Sequence, residues 1–260
     1  MTDEERLHEE DMQRIRGFRL MDDDFMNACF DGFIEGTELL LSIILDRSDI
    51  RVNSVITQKV MKNLLGRDIW LDIDANDDSG VEYNIEIQRA DNGAEVKRAR
   101  YHSSILDAHL LKPADDFNLL PETYVIFITE NDVIGERLPI YMVERQITTT
   151  GKPFNDGEHI IYVNGADKDS STALGKLMHD FSCTSADDMY YKELAEKVRY
   201  FKEDEKGVEK MCKVMEDMRN DVRIENAKKM LNDGLAIEKV AVYSGLSLEK
   251  VRELASSKSA

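Results

Sequence analysis

Three residues carry the clearest chemistry in this sequence: Asp72, Glu86 and Gln88. They lie on two short alternating segments, Asp68-Ile69-Trp70-Leu71-Asp72-Ile73-Asp74 and Val81-Glu82-Tyr83-Asn84-Ile85-Glu86-Ile87-Gln88. Apolar residues that alternate with polar ones mark half-buried β-strands. Between the segments, Asn76-Asp77-Asp78-Ser79-Gly80 has turn chemistry, and Gly80 suits the left-handed position that closes a three-residue loop. An antiparallel hairpin across Asp78-Ser79-Gly80 sets Asp77 opposite Val81, Asp72 opposite Glu86 and Trp70 opposite Gln88. Like charges directly across a ladder destabilise it. A divalent cation would offset that repulsion, because hard cations such as magnesium take carboxylate oxygens and need few protein ligands. Held there, it would activate water and stabilise phosphoryl oxygens. The plainer alternative is a one-sided sheet whose polar face meets water.

The surrounding elements must position this hairpin. Residues 1–19 read as a polar, partly helical lead-in. Phe25, Met26, Cys29, Phe30 and Phe33, then Leu39, Leu40, Ile43 and Ile44, recur at helical spacing. Asp22, Asp23 and Asp24 stand at the start of that stretch, where acidic groups favour the positive helix end. Gly36 is the expected break between two helices. Residues 52–60 are ambiguous between strand and helix. Helical spacing returns over 95–111. The apolar run 123–129 predicts a strand buried on both faces, and Leu138–Val143 and His159–Val163 predict two more. Helix dominates from about Ser171. The expected class is α/β, with a mixed central sheet flanked by helices and a helical C-terminal tail. Expected domains are 1–185 and 186–260.

The 260 residues are 42% hydrophobic and 33% charged, an ordinary globular composition. No signal peptide is expected at the charged N-terminus, and Leu39–Leu45 is far short of the ~20 apolar residues of a membrane helix. Cys29, Cys183 and Cys212 are odd in number and widely spaced, which argues against a disulfide framework and fits a cytoplasmic location. The net charge of −18 repels polyanions and weighs against broad DNA coating. No HExxH, GxSxG or phosphate-loop motif occurs.

An Asp on one strand, a short turn and Glu-x-Lys on the next strand is the signature of the PD-(D/E)XK nucleases. Leu71-Asp72-Ile73 and Tyr83-Asn84-Ile85-Glu86-Ile87-Gln88 resemble the nuclease-family transposases, related to recombination-promoting nucleases, which show Glu-x-Gln. Lys97 to Ile105, Leu138-Pro139-Ile140-Tyr141, Asn155-Asp156-Gly157 with Asn164, and Asp24-Phe25-Met26 extend the likeness over roughly residues 20–165 and the tail. The resemblance implies a restriction-endonuclease-like core and a magnesium- or manganese-dependent DNA endonuclease. It implies metal ligation by Asp72, Glu86 and the Ile87 carbonyl, with Gln88 at the place of the catalytic lysine. An acid on the first helix, Asp24 or Glu35, would assist. Arg98, Arg100 and Tyr101 on the helix after the hairpin are candidates for phosphate or substrate contacts.

Gln88 departs from the wider pattern. A lysine ammonium stabilises a phosphorane by charge, whereas a neutral amide only donates and accepts hydrogen bonds. A catalytically inactive nuclease fold that binds nucleic acid or protein is therefore the second reading. In the tail, Ile237–Ala241, Ser244-Gly245 and Ser247–Val251 predict helix, turn and helix with Ser247 as N-cap. This resembles a helix-turn-helix, but the second helix lacks the Arg and Asn that base reading needs, so packing or homo-oligomer contact is favoured. Trp70 is expected beneath a neighbouring helix or at the pocket wall.

Overall fold

The computed structural model describes residues 2–63, 66–90 and 93–256. Contacts divide it into two compact units, residues 16–204 and a helical unit of the N-terminal segment to Ile15 with residues from Glu205 onward.

The larger unit is built on a six-stranded mixed sheet in the order β1-β2-β3-β4-β8-β5. Its strands are β1 (Val52–Met61), β2 (Ile69–Asp77), β3 (Glu82–Gln88), β4 (Thr123–Thr129), β5 (Ile140–Val143) and β8 (Glu158–Asn164). β1, β2 and β3 are antiparallel, β3, β4 and β8 run parallel, and β5 closes the far edge antiparallel. The ambiguous 52–60 segment is strand, as its β-branched Val52, Val55, Ile56, Thr57 and Val60 favour. Between β5 and β8 a two-residue pair, β6 (Gln146–Ile147) with β7 (Lys152–Pro153), forms a separate hairpin. β4 lies in the middle of the sheet with Val125 to Thr129 all buried, which explains its unbroken apolar run.

Helix α4 (Val96–Leu110) connects β3 to β4 and lays Ala99, Ile105 and Leu106 against Leu71, Val125, Phe127 and Tyr162. Helices α2 (Asp23–Phe30) and α3 (Ile34–Ile44) pack on β1 and β2. The break between them falls at residues 31–33, not at Gly36. Gly36 is buried inside α3, where a Cβ would lie 2.1 Å from the Phe33 ring, so it serves close packing rather than a helix stop.

The larger unit ends at Asp204 rather than near residue 185, because α5 (Ala173–Ser182) and α6 (Lys192–Glu203) pack on α3, and α6 also on α2. Lys202 fastens α6 to the core, its ammonium donating to the carbonyls of Arg16 (3.1 Å), Phe18 (2.5 Å) and Thr184 (2.6 Å). In the helical unit, α1 (Asp3–Gly17) carries Asp11, which pairs with Arg219 of α7 (Glu205–Asn232) at 2.5 Å. The end of α7 joins α8 (Ile237–Ser244) and α9 (Leu248–Ser256) around Ala227, Val240 and Val251. Ser247 caps α9, its hydroxyl accepting from the Lys250 amide at 3.2 Å. Among the described residues no helix is long and apolar enough to cross a membrane.

The β2–β3 turn fixes the register. The Asp77 amide donates to the Val81 carbonyl (3.2 Å), the Gly80 amide to the Asp77 carbonyl (3.0 Å), and Gly80 has φ +85°. Asp77 Oδ1 accepts from the Ser79 amide (2.9 Å), the Ser79 hydroxyl (2.7 Å) and the Val81 amide (3.1 Å), while Oδ2 accepts from the Tyr83 hydroxyl (2.8 Å). Burial raises this carboxyl, yet the bonds from Ser79, Tyr83 and Val81 outweigh burial and hold it below the usual carboxylate range. Asp77→Ala removes all four bonds, and equilibrium urea unfolding will show a loss of about 2–4 kcal/mol. Because the folded-state pKa is depressed, this contribution is present above the ordinary value of 3.8 and disappears as pH falls through the lower folded value.

Candidate metal centre

The β2–β3 ladder pairs Asn76 with Glu82, Asp74 with Asn84 and Ile73 with Ile85, the register the three-residue loop predicts. It stops there. Beyond Ile73 the strands no longer bond backbone to backbone, and side chains bridge the gap. The Ile87 amide donates to Asp72 Oδ2 at 2.8 Å, and the Asp72 amide reaches Glu86 Oε1 at 3.3 Å. The two carboxylates thus occupy a fork, each held by the opposite strand.

Glu86 is fully buried. It does not meet water on an open face, because α4 brings Arg98 and His102 over it. Asn84 Nδ2 donates to Oε1 (2.8 Å), and Arg98 Nη2 donates to Oε2 (3.2 Å). Asp72 is partly buried, and its Oδ1 makes no hydrogen bond among the described residues. Burial, then the charge of Glu86, pushes the Asp72 carboxyl up to about 8, against the opposing effects of the Ile87 amide and Arg98. Asp23 adds to that push from the first turn of α2.

Of the residues singled out from sequence, Asp72 and Glu86 come together and Ile87 adjoins them. Gln88 follows at the end of β3, where its side-chain oxygen closes over Gly93. A Cβ at Gly93 would lie 1.9 Å from that oxygen, so a side chain there would push the flexible Gln88 amide aside. Arg98 bonds Glu86. The Tyr101 hydroxyl instead donates to the Arg67 carbonyl (2.6 Å) and accepts from Asn63 Nδ2 (2.9 Å), so it is held by Asn63 and Arg67 rather than by the fork. Arg100 is exposed, as is Glu35 in the first turn of α3. Asp24 is raised by its own burial, and of the first-turn acids it is Asp23 whose charge adds to the push on Asp72. Trp70 is 58% exposed opposite Val60 near the sheet edge, not beneath a helix.

Asn84, His102 and Asp23 join the site although the sequence alone gave them no role in it: Asp23 reads there only as a helix-start acid and Asn84 only as part of the strand motif. Asn84 stands two residues before Glu86 and so shares its side of the strand, and His102 stands four after Arg98 on one helix face. Those spacings are the signal that was present.

The donors fit a hard divalent cation. They are oxygens, one carboxylate oxygen is unengaged, and the proton retained by Asp72 to about 8 marks a shortage of positive charge at the pair. Two other groups fit less well. Asp74 bonds Lys59 (2.6 Å) and leaves Oδ1 without a partner, and burial, then Asp74, lifts the nearby Glu82 to about 7, but the lysine already supplies the cation. His179, Asp180 and Cys183 also converge. There the sulfur lies 3.4 Å from Nδ1 and 3.9 Å from Nε2, so it sits over the imidazole and away from both in-plane lone pairs. Both Asp180 oxygens already accept from the Tyr190 and Tyr191 amides at 2.8 Å.

A model of the PD-(D/E)XK nuclease family transposases matches residues 38–233, and the chain belongs to that family. The family is of nuclease type and its members as a rule use divalent metal ions. No curated protein and no solved structure matches the chain.

The raised Asp72 gives a stability signature without metal. The fold favours the protonated carboxyl, so its contribution is full below the ordinary value of 3.8 and is lost as pH climbs through about 8. Melting temperatures of metal-free protein across that range will fall for the wild type and stay flatter for Asp72→Asn.

Proposed function

We propose that the protein is a magnesium- or manganese-dependent DNA endonuclease of the transposase- and recombination-associated kind. The observation that carries this reading is the carboxylate pair in the strand fork, short of positive charge and lined by oxygen donors. Asp72, Glu86 and the Ile87 carbonyl would hold the ion, which when bound supplies an acidified water and charge stabilisation for the phosphate. Ile87, through its amide, holds Asp72 by Oδ2 and leaves Oδ1 free for the ion. Gln88 orients the attacking water by hydrogen bonding, and Arg98 and Arg100 meet the phosphate from α4. Asp23 strengthens the demand for a cation. The free cysteines fit work in the reducing cytoplasm, and contacts through the C-terminal helices fit a homo-oligomer.

The specific observation on the other side is Gln88 folded against Gly93, together with the net charge of −18. These favour a metal-binding but silent nuclease fold that recognises nucleic acid or a protein partner.

One assay separates the two. Supercoiled and linear DNA are incubated with magnesium or manganese and wild type, Glu86→Gln or Gln88→Ala protein. The endonuclease reading predicts metal-dependent nicking by the wild type, none by Glu86→Gln, and a reduction of about 10²-fold for Gln88→Ala, the scale of one lost positioning or charge-stabilising contact. Equal cutting by wild type and Glu86→Gln would sink it, and no cutting by a wild type that binds metal would leave the silent fold.

A further inference from the structure

The groups around Glu86 form a closed directional ring. Arg98 cannot accept a hydrogen bond, so its Nε–H must donate to His102 Nε2, 3.3 Å away. His102 Nε2 is therefore the acceptor, and the ring proton lies on Nδ1, which donates to Asn84 Oδ1 at 3.3 Å. Asn84 turns its Nδ2–H to Glu86 Oε1 (2.8 Å), and Arg98 Nη2 returns to Oε2 (3.2 Å). The orientation of every member follows from the one fixed donor.

The other described cations around the fork are committed elsewhere. Arg89 pairs with Asp22 (2.8 Å) and Glu130 (3.6 Å), and Arg19 pairs with the same two acids at 3.4 and 2.7 Å. Within the ring Arg98 alone is open, with 37% of its side chain exposed while Glu86, His102 and Asn84 are covered. It therefore has room to leave.

We propose that Arg98 is an exchangeable counter-ion: it holds Glu86 in the metal-free protein, competes with the divalent ion for that carboxylate, and on release turns outward to the substrate phosphate. This rests on the metal-site reading above. A guanidinium and a divalent cation on one carboxylate repel each other, so binding of one weakens the other. The arrangement spares the buried Glu86 an unpaired charge before metal arrives. It also delivers a cation to the site's mouth only when the metal is in place, which offsets the missing charge at Gln88. In this role Arg98 is a positioning and phosphate-contacting residue, not a ligand.

The test is manganese binding by isothermal titration calorimetry without DNA, using wild type, Arg98→Gln, Arg98→Lys and Glu86→Gln. Competition predicts that Arg98→Gln binds manganese at least fivefold tighter than wild type, that Arg98→Lys returns toward the wild-type value, and that Arg98→Gln lowers the melting temperature only without metal. A permanent structural ion pair predicts the reverse, with equal or weaker affinity in Arg98→Gln and a lower melting temperature with or without metal, and that result overturns the proposal. The two failures are distinguishable. Unchanged binding in Glu86→Gln removes the metal-site reading itself, whereas binding that needs Glu86 but does not tighten in Arg98→Gln removes only the exchange.

Discussion

Two carboxylates held in a poorly hydrated fork between strands cannot both carry charge without a cation close by. The surroundings of Asp72 and Glu86 follow from that requirement. Glu86, wholly buried, takes a guanidinium, an amide and a backbone N–H. Asp72, less well supplied, keeps its proton to about 8. Two sources of positive charge serve the pair here, the Asp72 proton and Arg98, and the proposed divalent ion would be a third. In the proposed reading the Asp72 proton and Arg98 serve together in the metal-free protein, and a divalent ion would displace both.

The fork exists because the hairpin is pinned at its other end. Asp77 collects four hydrogen bonds inside the turn and fixes which residues face each other. The central β4 then holds β3 in place by pairing from Glu82 to Gln88. β2 is paired on its other side with β1 along its length, from Met61 opposite Ile69 to Val52 opposite Asp77, while the β2–β3 ladder opens beyond Ile73. Backbone groups released there are satisfied by Asp72 and Glu86, which couples site geometry to sheet geometry. A one-residue slip of β2 against β3 would turn Asp72 to the face opposite Glu86 and break the pair.

The hairpin was legible in the sequence because its information is local: alternation, an aspartate-rich turn and one glycine suited to positive φ. β4 was legible for a similar reason, since a strand covered on both faces needs an unbroken apolar run. What was not legible depends on docking at long range. His102 is marked only once α4 lies over β3, 18 residues from Asn84 in the chain. Lys202 belongs to the core through three carbonyls that no spacing encodes, so the unit boundary could not be read near Ser185. Trp70 misled because alternation gives the face but not what covers it. Asp23 and Asp24 are indistinguishable as sequence, and it is the docked structure that puts the charge of Asp23 on Asp72.

The central claim is that the fork binds a divalent ion through both carboxylates. Crystals soaked in manganese and measured at its absorption edge test it most directly. The account predicts one anomalous peak about 2.1 Å from an Asp72 oxygen and a Glu86 oxygen, the distance typical of small hard cations, with Arg98 swung away from Oε2. A peak beside Asp74 and Glu82 alone, or none while Arg98 still holds Glu86, would contradict it.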